Sequence, residues 1–170
     1  MTKHALWLIA GLGCAHSTTA PVHPAVNADM TSFSFYVGHW SCRGAELDDK
    51  DRVVAEYPLA IDVEPLLDGS WLSVVVAKDG APVTTELKGY SPADRRYHHV
   101  WATGGGAWGS LSSDGWHGDE MTFVDDHPTS DPERMVFTRI SSSRYAHRAE
   151  VQTPSGWHTT FRKTCDKTAS

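Results

Sequence analysis

The sequence lacks an apolar run long enough to cross a bilayer as a helix: the N-terminal run, Ala5 to Gly13, is short, and about 20 residues are needed. It lacks a basic run as well. The 15 Lys and Arg are scattered among 21 Asp and Glu for a formal charge of -6, which excludes the electrostatic footprint of a nucleic-acid binder. Cysteine is scarce, with three in all and no CxxC pair, so a structural zinc site has no ligand set. There is no HExxH, and Asp125-Asp126-His127 has the spacing of a solvated turn rather than a calcium loop. His98 and His99 are adjacent on an expected strand, so they point to opposite faces and cannot clasp one ion. No metal is expected. GxSxG is missing too, which leaves Ser70, Ser110, Ser112 and Ser113 as ordinary strand or turn serines. No fixed-period repeat and no low-complexity segment is present.

What the chain has is aromatic residues and histidine, with seven Trp and ten His in 170 residues. That length suits one domain, and so many rings imply either a large aromatic core or a cavity lined with rings. From Gly38 onward the apolar pattern has period two. The clearest stretch is Arg52 to Leu66, where Tyr57, Leu59, Ile61 and Val63 alternate with polar or small residues. Further strands are expected over 39–47, 71–78, 83–91, 95–103, 107–113, 116–125, 134–141, 144–152 and 157–164. Asp68-Gly69 and Asp79-Gly80 mark hairpin turns between them. Ahead of the strands, Thr31 or Ser32 can cap one helical turn that carries Phe33, Tyr36 and Val37 on one side. The fold class this predicts is all-β, an antiparallel up-and-down barrel of about ten strands with a short N-terminal helical turn, its closure removing free sheet edges.

Residues 1–20 read as an export signal. Gly13-Cys14 resembles a bacterial lipoprotein cleavage site, which would make Cys14 an acylated N-terminus and the protein a periplasmic or outer-membrane lipoprotein; cutting after Ala20 is the rival. Residues 21–30 read as a linker and 31–170 as the barrel. With Cys14 removed or lipidated, Cys42 in the first strand and Cys165 at the end of the last remain. In a closed meander those strands are neighbours, so the pair is expected to form a disulfide in an oxidising compartment. Two buried free thiols are the alternative.

Gly38-His39-Trp40, Asp68-Gly69-x-Trp71, Gly89-Tyr90-x-Pro92 and a last strand bearing Arg162 together resemble the calycin group. They are most similar to bacterial lipocalin-like exported families of unknown function, with a more distant resemblance to nitrobindin, the ten-stranded haem-binding barrel. The resemblance implies that Trp40 plugs one end of the barrel under Arg162. In nitrobindin the haem-ligating His belongs to the C-terminal strand. Here Trp157, Thr159 and Phe161 take the expected inward positions of that strand and His158 the outward one, so His147 would have to substitute. No cofactor is therefore expected, and haem is kept only as a secondary reading.

Parity also places Trp71, Tyr97, Trp101, Tyr145, Trp157 and Phe161 with His99 and His147 on inward faces. They are candidate ligand contacts, the rings supplying apolar walls and the polar tips orientation; simple core packing is the competing reading for the rings and a backbone-bonded core His for the imidazoles. The expected function is binding of a small apolar or aromatic molecule, with no nucleic-acid partner and no membrane contact beyond an anchor at Cys14. An enzyme using His99 or His147 as general base would need a carboxylate on the same inward face; a structural envelope protein with a filled core is the third reading.

Overall fold

The computed structural model describes residues 28–127 and 131–169; the expected export signal, Cys14 and most of the linker lie outside them. A 3-10 helix, Ala28–Tyr36, precedes eleven strands. These are β1 (Gly38–Leu47), β2 (Val53–Leu66), β3 (Trp71–Lys78), β4 (Ala81–Ser91), β5 (Arg96–Thr103), β6 (Trp108–Ser113), β7 (Trp116–His117), β8 (Glu120–Asp125), β9 (Glu133–Ser141), β10 (Arg144–Thr153) and β11 (Gly156–Lys167). Every pairing is antiparallel between chain neighbours except β1 with β11 and β6 with β8, which close the sheet on itself. Ten strands form the closed barrel, as expected, and the two-residue β7 is a spur on β8.

The hairpin turns follow from the sequence. Asp79 and Gly80 both hold positive φ (52° and 79°), as a turn matching the right-handed strand twist requires. The expected strand over 116–125 is instead broken at Gly118 (φ 64°), which settles its parity: Met121 and Phe123 are buried and Val124 faces out.

The helix begins at Ala28, and Met30 is fully buried, so the last residues assigned to the linker belong to the domain. Phe33 and Tyr36 close this end of the barrel as expected. Tyr36 stands edge-on to Tyr145 (5.2 Å) and Trp40 edge-on to Tyr145 (4.9 Å), while Trp40 Nε1 donates to the Tyr36 carbonyl at 2.8 Å. The cation over Trp40 is not Arg162. Register pairs Arg162 with Ala45 and Lys167 with Trp40; Arg162 is exposed, and Lys167 Nζ lies 5.3 Å from the Trp40 ring while donating to the Phe35 carbonyl at 2.9 Å.

Cys42 and Cys165 sit directly opposite each other across the β1–β11 seam, both buried, and form the expected disulfide. Covalent closure thus falls where the first strand meets the last.

Candidate functional site

The inward face can be followed strand by strand through the register. Val74 and Val76 oppose Val63 and Ile61 of β2, so they share the core face and Trp71 does not. Trp71 lies on the outer face across from Gly89, where a side chain would overlap its indole. The same register turns Thr84, Glu86 and Lys88 of β4 inward, opposite Val76, Val74 and Leu72, and leaves Leu87 exposed. Strand β4 therefore inverts the usual pattern: its charged residues face the barrel interior.

On the other side of the barrel, Gly44, Lys163, His147 and Phe137 form one cross-strand row. One rung further, Glu46, Phe161, Ala149 and Met135 form the next. A bulge between Ala149 and Glu150 then shifts the β10–β11 register by one residue, and a one-residue slip moves side chains to the opposite face. Trp157 accordingly lies outside, with Arg134 stacked 4.3 Å from its ring. Arg134 belongs to an outer network in which it and Arg148 both donate to Glu150, and Arg148 also reaches Glu120.

These rows enclose a cavity of about 450 Å³ in the half of the barrel away from the helix. Its apolar wall comes from Leu59, Val76, Trp101, Met135 and Phe161, and its polar groups include Glu86, His147 and Lys163. Of the eight expected contacts, Trp101, His147 and Phe161 line the cavity. His99 lies just beneath it, while Tyr97 packs on Phe33 (5.7 Å) and Tyr145 on Trp40, both in the aromatic plug. Trp71 and Trp157 are outside. The rings thus serve both roles left open by composition, core at one end and cavity wall at the other.

Sequence reasoning missed the buried charges. Lys88 is fully buried and donates to Glu86; its Nζ lies 3.0 Å from His99 Nε2, which is also 3.0 Å from Glu86 Oε2. Burial alone would raise the Glu86 pKa, but Lys88, His99 and Lys163 together hold it well below the carboxylate range. Burial, reinforced by Lys88, pushes His99 down to about 4. Burial and then Lys163 push His147 down as well, so both imidazoles are neutral at pH 7. Lys163 is lowered by burial to about 8, against the pull of Glu86, and still carries its proton at neutral pH. A signal for Lys163 was present, since it shares parity with Phe161 and Cys165 on a strand already assigned inward.

The inward carboxylate required for a general base exists, but on the wrong histidine. Glu86 contacts His99, which is buried below the cavity, whereas His147 reaches the cavity with neither ring nitrogen hydrogen-bonded among the described residues. The haem reading fails on the same face. The last strand presents Phe161 and Lys163 to the cavity, neither of them an iron ligand. The bulge also turns His158 to the inner face opposite Val151, contrary to the expected outward position, but it sits 3.5 Å from Asp51 and does not line the cavity. The one imidazole there, His147, lies between Phe137 (4.6 Å) and Phe161 (6.2 Å) and is paired in register with the Lys163 cation. This set does not fit a haem.

Acid should destabilise the barrel from this site. An unfolded His titrates near 6.5, and His99 in the fold near 4, so between those values the unfolded state binds more protons and stability falls with pH, by up to about 3 kcal/mol. Glu86 acts in the same direction lower down, its contribution present above about 4.5 and lost as pH drops through its depressed folded value. Urea midpoints from pH 7 to pH 4 should fall, and His99→Gln should flatten the slope above pH 4. A slope unchanged by that substitution would show that His99 is not the titrating group.

No protein-family model matches the sequence, and a search of curated proteins finds no match. Solved structures do match in shape. Rv2717c from M. tuberculosis aligns with a TM-score of 0.60 at 14% identity, covering 85% of this chain and 99% of that one. The chain shares a closed antiparallel β-barrel fold with it. A second such barrel, the S-type phycobiliprotein lyase CPES from Guillardia theta, aligns at 0.51 with 13% identity, covering 82% of this chain and 92% of that one. At these identities the likeness is one of fold alone.

Proposed function

We propose that this protein is an exported binding barrel that holds a small apolar or aromatic molecule in the cavity beside Trp101. The observation that carries the reading is the cavity itself, whose volume of about 450 Å³ and apolar wall of Leu59, Val76, Trp101, Met135 and Phe161 suit a small-molecule site. Export is supported by the Cys42–Cys165 bond, a feature of oxidising compartments, and by the signal-like N-terminus; acylation of Cys14 would tether the barrel to a membrane.

Titration with an apolar probe such as 1-decanol should shift tryptophan emission to the blue saturably, as the probe displaces water from beside Trp101. Trp101→Ala should weaken binding about tenfold, roughly 1.4 kcal/mol, while Trp157→Ala, on the outer face, should leave it unchanged. Each variant must first show a native denaturation midpoint. Absence of saturable binding to the wild-type protein would refute the carrier reading.

A further inference from the structure

Two lysines are buried inside the barrel and only one has a close counter-charge. Lys88 takes Glu86 as its partner. Lys163 is 5% exposed, lines the cavity, and among the described residues has no carboxylate within ion-pair distance. Beside it in register is His147, 7% exposed, both ring nitrogens without a hydrogen-bond partner among the described residues. Lys88 and Lys163 both lie near Glu86, while Glu133 and Lys78 stand elsewhere in the cavity lining; no carboxylate among the described residues pairs with Lys163, so its charge faces the cavity. Isolated buried charge is costly, and an imidazole with two unused polar atoms adds to that cost. A cavity with an apolar wall and the unpaired Lys163 cation beside a neutral His147 is complementary to a molecule with an apolar body and one anionic group.

We propose that the molecule bound in the cavity is an amphipathic carboxylic acid whose carboxylate pairs with Lys163 Nζ and accepts a hydrogen bond from His147, its apolar part lying against Trp101, Met135 and Phe161. This rests on the binding reading above and names the chemical class of its ligand. An N–H donated to a carboxylate is a charge-assisted bond, stronger than a neutral one, and neutral His147 always has one N–H to donate. Glu86 attracts Lys163 across the interior but makes no ion pair with it, its carboxylate being bonded to Lys88 and His99.

The test compares decanoate with 1-decanol, matched in chain and differing in head group, by calorimetric titration of the folded protein at pH 7. Decanoate should bind at least about tenfold more tightly. Lys163→Met should abolish that preference while leaving decanol affinity within about threefold, and Lys163→Gln should behave alike should the Met variant fail to fold. The wild type supplies an independent readout. The titratable and charged groups around the cavity are Lys163, Glu86, Lys88, His99, His147, Glu133, Lys78 and Tyr57, and of these Lys163 is the one lowered to about 8. A bound carboxylate raises that value, so decanoate affinity should hold up to about pH 8 and weaken above it, with decanol flat across the range. Equal saturable binding of acid and alcohol to the wild type, or a preference that survives loss of Lys163, overturns the assignment and leaves the carrier reading standing. If neither compound binds, both readings fall.

Discussion

Glu86→Gln is expected to be the most damaging conservative substitution in the barrel, lowering stability at pH 7 by about 3 to 5 kcal/mol. Glu86 is the carboxylate that faces Lys88 and Lys163, and Lys88 has no exposure through which to recover hydration. Gln keeps the shape and removes the charge, so two ammonium groups face each other in a low-dielectric interior. The loss then comes from uncompensated charge rather than from a cavity. The double substitution Glu86→Leu with Lys88→Met should recover most of it, because replacing a whole buried pair by apolar residues is often neutral. Urea denaturation of the wild type, Glu86→Gln and the double variant measures both effects. If Glu86→Gln costs no more than a surface change, about 0.5 kcal/mol, the pair is not ionised in the fold.

Removal of the disulfide comes next in size. Cys42 and Cys165 are separated by 123 residues, and a bond closing so long a loop restricts the unfolded chain, by about 2 to 5 kcal/mol in measured cases. The double replacement Cys42→Ala, Cys165→Ala should therefore lower the unfolding free energy from urea denaturation by about 2 to 5 kcal/mol. Both cysteines are buried, so reductant should leave the folded protein intact at low urea and act only where the barrel opens. Rapid reduction of the native protein without denaturant would show that the β1–β11 seam opens locally.

Where these charges lie was only half legible in the chain. The barrel class followed from alternation and Asp-Gly turns, and the disulfide from cysteine arithmetic plus closure, because both depend on local period and on strand order. Trp101, His147 and Phe161 were found by counting in twos along strands that run regularly from a well-oriented end. Trp157 was lost because a bulge two rungs away shifts the register by one, and nothing in the composition of residues 149–160 announces it. Trp71 was placed inward by parity, but its neighbours Leu72, Val74 and Val76 inherit the core face from β2 and the ring finds its space over Gly89. Glu86 and Lys88 were overlooked because charge ordinarily marks the solvent side of a strand, and here each charged side chain is made tolerable inside by the other.

By itself the sequence determined a closed antiparallel barrel, a short helical turn ahead of it and the adjacency of Cys42 and Cys165, since periodicity, turn chemistry and strand order are properties of the chain. Only the tertiary structure decided which end of the barrel is filled with rings and which holds the cavity, and that Lys163 stands there without a close carboxylate. The physical reason is that burial and ion pairing depend on which strands face one another across the barrel, and the one-residue shift in the β10–β11 ladder decides on which side each ring and charge beyond it emerges.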